Sequence, residues 1–523
     1  MNQQTRLEHN VYKSKLVCDY LQNKIKLNDF IDTELSIDDF KTKLDKHIIS
    51  DNSRQILFKS IQKQYIDSDI SEPKNLTSLL DSKTFTITTG HQLCLFGGAQ
   101  LLINKIASVI KMTNLLKEKY PKNNFIPIFW MASEDHDFDE IKTLEIFNKQ
   151  ITINGEYSGA VGKMKNSRLK SSFEELKMLF TNDDRGNEII KIISESNKRN
   201  TLSESIRYIF HNLFCEHNLI IVDGDNKELK KLFTPIIKKE LLYQSSNIEV
   251  QKTNSKLENL GYKAQAYSRN LNLFYLNKNS RNRIIFEDNV YKIGTETFSK
   301  ESLLELVDNF PEKFSPNVIL RPIYQETILP NLAYIGGPSE ISYWAQLKQV
   351  FLTYNISYPK VYLRESFAFI SETDFSYWNQ QNLKTADFFS NFDSLAKNII
   401  TNNKEIDFES ELIELIQIKD KLIDKTNTIN KSLSTSIAGE FTKFNKAINK
   451  TEKRLIKSIK DKDEKHFNRL KKIKESIYYN NSLVERSQSF IPLYNKLNGK
   501  YINTLIKESK PFDASFKLIT FTI

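Results

Sequence analysis

Apolar residues recur at three- and four-residue spacing between Val11 and Leu80, as in Ile49, Ile56, Leu57, Ile61 and Tyr65, and predict a helical lead-in. Phe85 to Thr88 reads as the first strand, with Gly90 marking the turn after it. Leu101, Leu102, Ile106, Val109, Ile110 and Leu115 then predict an amphipathic helix ahead of a second strand, Phe125 to Met131. Strand, helix, strand in that order requires a crossover, and crossovers build parallel sheets.

Beyond the second strand, residues 148–200 lack a long periodic pattern, carry Gly155, Gly159 and Gly162 among short strand-like pieces, and read as an insertion. The sheet is expected to resume after a helix at Ile206 to Glu216. Leu219-Ile-Ile-Val-Asp-Gly-Asp225 is a short buried-strand run that ends in acids and glycine. A second irregular region alternates like a hairpin in Leu271 to Tyr275 and Arg283 to Phe286. A helix is predicted at Ile341 to Phe351 and a last core strand at Lys360 to Leu363. From Val361 to Ile491 there is no proline, and Gly439 is the one glycine, which favours long helices. Apolar positions at Leu412, Leu415, Leu422, Ile429 and Leu433, then from Phe441 to Ile477, predict two helices in an antiparallel coiled-coil arm, with an ordinary helical bundle as the alternative.

A chain of 523 residues is too long for one compact core, so several structural units are expected. No apolar run is long enough to span a bilayer, and the first ten residues lack the apolar centre of a secretory signal; a cytoplasmic location without membrane attachment is the expectation. Cys18, Cys94 and Cys215 are widely separated and form no CxxC pair, so neither a structural zinc nor a disulfide framework is expected. A net charge of +10 raises the question of nucleic acid. Lysine, asparagine and isoleucine are abundant throughout, which points to compositional bias, and nucleic acid is not expected as a partner. Ten lysines from Lys446 to Lys474 alternate with Glu452, Asp461, Asp463, Glu464 and Glu475, as a solvated face does.

Candidate chemistry gathers at strand ends. Gly90, His91, Gln92, Gly97 and Gly98 lie between a strand and a helix, where glycine lets backbone approach phosphate and the helix terminus offers free N–H groups; a purely structural turn is the equal alternative. Glu134, Asp135, His136, Asp137, Asp139 and Glu140 crowd the next strand end. Neighbouring residues there point in different directions, so no metal is assigned; one or two acids would hold an amine or a ribose hydroxyl while others cap a helix. Gly336, Gly337, Ser339 and Glu340 form either a tight helix entry or a ligand-facing loop, and Tyr343 and Trp344 would stack on a ligand or fill the core. Arg364 and Ser366 follow the last strand and could clamp phosphate.

Thr88-Thr-Gly-His-Gln-Leu-Cys-Leu-Phe-Gly-Gly98, Pro127 to Glu140, Arg321-Pro-Ile-Tyr-Gln-Glu326, Ala333 to Trp344 and Leu363-Arg-Glu-Ser-Phe367 together resemble the bacillithiol biosynthesis cysteine-adding enzymes, the BshC family of cysteine ligases. Gly261 to Gln265 and Leu483 to Arg486 extend the resemblance over most of the chain. It implies an α/β fold with a Rossmann-like parallel-sheet core related to class I aminoacyl-tRNA synthetases, connective-peptide insertions and a C-terminal helical coiled coil. The corresponding segments are a helical lead-in at 1–80, core at 81–147, 201–256 and 311–372, insertions at 148–200 and 257–310, an arm at 373–510 and a tail at 511–523 that returns to the core.

The implied reaction joins the carboxyl of L-cysteine to the amine of glucosaminyl malate, the last step of bacillithiol biosynthesis, with ATP as co-substrate, with or without Mg2+. The resemblance further implies a homodimer through the coiled coil. Backbone N–H groups near Gly90 and Gly97, with Arg364, would hold the phosphates, and Asp135, His136 and Asp137 would orient the amine or take its proton. Tyr324 joins the substrate-binding set with the Arg321 to Glu326 motif. Members of the family commonly carry Gly-Gln-Gln where this chain has Gly90-His91-Gln92, which shifts weight from His91 to Gln92 and the glycines. The alternative function is an inactive synthetase-like protein that binds RNA or acts as a scaffold through its basic arm.

Overall fold

The computed structural model describes residues 3–5, 12, 14–44, 49–180, 187–404, 408–497 and 499–522. The predicted lead-in and the first insertion therefore lie partly outside the described residues. The chain forms two compact units, one made of Arg6–Ala368 and Glu485–Lys517, the other mainly of Phe369–Val484.

The first unit is built on a five-stranded parallel sheet. Its strands are β1 (Thr84–His91), β2 (Asn124–Met131), β3 (Ile220–Asp223), β4 (Asn331–Gly336) and β5 (Lys360–Leu363), in the spatial order β3-β2-β1-β4-β5. Every neighbouring pair is parallel, and the order reverses between β1 and β4. This is the doubly wound, Rossmann-like arrangement. Apart from Asn124, Lys360 and the terminal His91, the strand residues are buried, as expected for strands covered on both faces. The polar ones are internally satisfied: Thr86 and Thr88 donate to the Asn331 carboxamide at 3.1 and 2.8 Å, and Thr89 donates to the Ile335 carbonyl at 2.7 Å.

Helices cover the sheet and build the second unit. Among them are α1 (Asp51–Asp67), α2 (Gln100–Lys119), α3 (Leu202–Phe214), α4 (Lys227–Tyr243), α5 (Arg321–Ile328), α6 (Pro338–Trp344) and, in the second unit, α7 (Glu409–Asn427). The crossover helix α2 packs Val109, Met112 and Leu116 with Phe85, Ile87, Phe125 and Ile335 of the sheet. At the sheet edge, Gln64 of α1 imitates one more strand residue: its amide donates to Asp223 O at 2.8 Å and accepts from Asp223 N at 2.9 Å. An edge strand covered in this way offers no template for another chain.

Two regions differ from the sequence expectation. After the hairpin of Thr143–Ile146 and Lys149–Thr152, the described part of the first insertion is chiefly helical, with helices at Lys170–Met178 and Asn187–Ser196 too short to leave a long periodic signature. The second insertion is richer in strands than a single hairpin. Leu273–Asn277, Ser280–Glu287, Val290–Ile293 and Glu296–Phe298 join Phe314–Pro316 in a five-stranded sheet, and Phe274 pairs with Arg283.

In the second unit, α7 is followed by the 32-residue α8 (Lys431–Lys462) and, after a break at Asp463, by α9 (Glu464–Glu475). The chain reverses at Thr428 to Asn430, where Asn430 caps α8 by accepting from Ser432 N at 2.9 Å. Leu433 therefore belongs to the second helix, where the apolar spacing alone had grouped it with the first.

Candidate active site

The carboxyl ends of β1 and β4 flank the point where the strand order reverses, the usual ligand crevice of an open parallel sheet. β1 delivers Gly90, His91 and Gln92 there, and β4 delivers Gly336 and Gly337. At Gly90 a Cβ would stand 3.2 Å from the Tyr334 hydroxyl and 3.6 Å from the Arg321 guanidinium, so the bare backbone is what lets these groups approach.

Lys105, on the buried side of α2, ties the two strand ends together. Its ammonium donates to Gly90 O at 3.0 Å and pairs with the Glu340 carboxylate. Glu340 also accepts from Gly337 N at 2.6 Å and from the Tyr334 hydroxyl at 2.5 Å, closing the entry to α6. Burial would raise the Glu340 carboxyl, but Lys105 and these hydrogen bonds hold it below its ordinary range, so it stays ionised opposite the lysine. Beside them, Arg321 is held by Gln325 at 3.0 Å and the Tyr343 hydroxyl at 3.4 Å, with its guanidinium 5.6 Å from the Tyr334 ring centre. His91 is half-buried, and burial, reinforced by the Lys105 charge, pushes its imidazole down to about 3. It is a neutral ring at neutral pH.

Gln92 connects this crevice to the acidic block after β2. Its amide donates to Asp135 Oδ2 at 2.9 Å. The other oxygen, Oδ1, accepts from His136 N at 2.8 Å and lies 3.4 Å from both His136 Nδ1 and the Arg281 guanidinium. Arg281 comes from the antiparallel sheet, is fixed by Ser315 Oγ and by Pro316 O at 2.9 Å, and stacks 4.1 Å over Phe274. Burial alone would raise the Asp135 carboxyl; hydrogen bonds from His136 and Gln92, together with the Arg281 charge, hold it well below the usual carboxylate range. Asp135 is therefore a permanent anion, suited to binding a cation or orienting an imidazole and poorly suited to accepting a proton.

Glu134 faces a different set. It pairs with Lys230 of α4, a lysine 1% exposed that also reaches Asp225 at 3.4 Å, while Lys163 pairs with the other Asp225 oxygen at 2.7 Å. Two carboxylates and two ammonium groups neutralise one another next to the strand ends. Asp137 is exposed and caps the short helix Phe138–Ile141 by accepting from Glu140 N at 3.3 Å. Adjacent acids thus diverge, and among the described residues no group of three or more His, Cys, Asp or Glu is arranged around a common metal position.

Other sequence-derived candidates occupy supporting places. Gly97 and Gly98 adopt left-handed conformations (φ 90° and 72°), and a Cβ on Gly98 would stand 2.6 Å from that of Cys94. Their amides donate to Cys94 O and Leu95 O, each at 3.0 Å, and the first amide of α2, at Gln100, donates to Gln488 O at 3.0 Å. Arg364 is 3% exposed and pairs with the fully buried Glu485 at 2.7 Å, with Ser366 Oγ 3.4 Å from the same guanidinium nitrogen. Tyr324 is buried and donates to Gly224 O at 2.7 Å. Trp344 is buried against Tyr334 and Phe351. Tyr343 is half-buried and Ser339 is exposed.

Lys105, Arg281 and Arg321 were not among the sequence-derived candidates. Lys105 could have been found, because it shares the buried helical stripe with Leu102, Ile106 and Val109. Arg321 lies in a quoted motif but has no local sign of its destination. Arg281 has none at all, since strand pairing alone brings it to Asp135.

Fold and crevice together define a doubly wound α/β protein whose polar machinery sits at the carboxyl ends of a Rossmann-like sheet, with a helical hairpin unit appended. The profile described as "Bacillithiol biosynthesis BshC, N-terminal Rossmann-like domain" matches residues 3–365, and "Bacillithiol biosynthesis BshC, C-terminal coiled-coil domain" matches residues 369–521. The chain belongs to the bacillithiol biosynthesis BshC family. It is 37% identical over 97% of both chains to a Flavobacterium psychrophilum protein named "Putative cysteine ligase BshC". A Flavobacterium johnsoniae protein of the same name is 36% identical over 97% of this chain and 98% of its own. A Bacillus cereus protein of that name is 28% identical over 98% of this chain and 99% of its own.

Proposed function

We propose that this protein is a cysteine ligase of bacillithiol biosynthesis that joins the carboxyl of L-cysteine to the amine of glucosaminyl malate. The observation that carries the reading is the Gln92–Asp135–His136–Arg281 cluster, which links the ends of β1 and β2 by direct hydrogen bonds beside the switch-point crevice. Amide formation needs an activated acyl group and a neutral amine, and the cluster offers groups for the second requirement. The Asp135 anion attracts an ammonium group. Arg281, which can only donate, lies 3.2 Å from His136 Nδ1 and fixes the ring beside Asp135 with that nitrogen as acceptor.

Activation of the cysteine carboxylate is assigned to ATP as co-substrate. Gly97, Gly98 and Gln100 direct their amides to protein carbonyls, and Arg364 its charge to Glu485, which favours a phosphate contact elsewhere. Arg321, beside the bare backbone of Gly90, is the cation better positioned to meet a phosphate. The partner proposed for the arm is a second copy of the chain. The α7–α8 hairpin leaves Ile413, Ile416, Ile418, Leu422, Leu433 and Phe444 exposed along its length, the kind of apolar surface that marks a protein–protein contact.

The deciding experiment incubates the purified protein with cysteine, glucosaminyl malate and ATP and follows products by mass spectrometry. Amide product with stoichiometric AMP is expected. Product without AMP would show that the cysteine carboxylate is not activated as an adenylate, and no product would remove the ligase reading.

A further inference from the structure

A cavity of about 440 Å³ lies beside the Asp135 cluster and has no part in the scheme above. Its volume is within the range of small-ligand sites. One wall is the tip of the hairpin Leu273–Asn277 and Ser280–Glu287, where Lys278 and Asn279 form the two-residue turn. The tip is fastened in place: Ser158 Oγ donates to Asn279 O at 2.8 Å, and a Cβ on Gly159 would stand 3.2 Å from the Asn279 carbonyl carbon.

The lining is strongly cationic. Lys163, Lys165, Arg168, Lys278 and Lys313 face one carboxylate, Glu312. Lys163 is matched by Asp225. Arg168 donates to the neutral Glu156 carbonyl at 2.8 Å, and Lys313 lies over the rings of Phe310 and Tyr275 at 4.8 and 5.8 Å. Among the described residues, Lys165, Arg168, Lys278 and Lys313 have no carboxylate within ion-pair distance. Unmatched like charges around a concavity focus a positive potential and raise the local concentration of anions.

The position of the cavity relates it to the reaction centre. Leu276 in its wall is the cross-strand partner of Arg281, which reaches Asp135. Glu312 O accepts from Lys230 at 3.1 Å, and Lys230 holds Glu134. The lining of the cavity is thus one residue removed from the groups that hold Asp135 and Glu134.

We propose that this cavity binds a small polycarboxylate and, resting on the ligase reading, that it seats the malate end of the amine acceptor. Lysines contributed by three separate segments of the chain suit two separated carboxylates better than one compact phosphate, which is usually met by an arginine fork or a nest of amides.

The test uses the full-length protein and L-malate alone as probe in titration calorimetry, with inorganic phosphate as comparator. Malate is expected to bind, and the double variant Lys278→Glu/Lys313→Glu, with unchanged circular dichroism, is expected to weaken it at least tenfold. In the ligation assay the same variant should raise KM for glucosaminyl malate at least tenfold and leave KM for cysteine unchanged. No malate binding, equal binding by the variant, or tighter binding of phosphate would overturn the proposal. Amide product without malate binding would remove the cavity assignment and leave the ligase reading intact. Variant-sensitive malate binding without product would do the reverse.

Discussion

Asp135 owes its chemistry to three neighbours, two of which are distant in sequence. Gln92, His136 and Arg281 all favour its anion, so its role is to hold charge in place. Asp135→Asn keeps the size and loses the charge. It should lower kcat by about a hundredfold or more in steady-state kinetics and, because the contacts that depress the carboxyl also stabilise the fold at neutral pH, lower the urea midpoint while leaving circular dichroism native-like. His91 presents a different case. The unfolded imidazole titrates near 6.5 and the folded one at about 3, so between these values the unfolded chain binds the extra proton. The contribution of His91 is whole above pH 6.5 and is lost as pH falls toward 3. His91→Gln should therefore become progressively more stable relative to wild type over that window, read from urea midpoints at a series of pH values; a constant difference would refute the assignment.

Among the elements, the parallel strands were the most legible. A run such as Phe85 to Thr88 ending at Gly90 marks a buried strand, although β1 continues to His91 because Thr89, Gly90 and His91 pair with Phe129, Trp130 and Met131. The hairpin was legible too, since Leu271 to Tyr275 and Arg283 to Phe286 alternate. Helix ends were less so: the reversal at Thr428 to Asn430 rests on a cap, which apolar spacing does not register. Elements are also locked by single buried charges. Lys105→Met would leave Glu340 ionised without its counterion and should cost about 3–5 kcal/mol. In denaturant titrations, the double variant Lys105→Met/Glu340→Gln should recover part of that loss, because neither charge is then left unmatched.

On the scale of the whole molecule, the proposed homodimer rests on the exposed apolar side chains of α7 and α8. Ile418→Glu combined with Phe444→Glu should convert a dimer into a monomer in sedimentation velocity without loss of helicity. A wild-type protein that already sediments as a monomer would dispose of the homodimer.

The sequence by itself determined the parallel core, the helical arm and the two glycine-bearing strand ends, because period, burial and turn chemistry are local and leave a local record. It also carried the family motifs that drew attention to Asp135. Tertiary structure alone decided which candidates meet. It drew Arg364 and Tyr324 into supporting contacts, turned Glu134 toward Lys230, and brought Arg281 and Lys105 to Asp135 and Glu340. Those outcomes depend on distances between residues far apart in the chain, set by strand order and helix packing, and no local pattern encodes them.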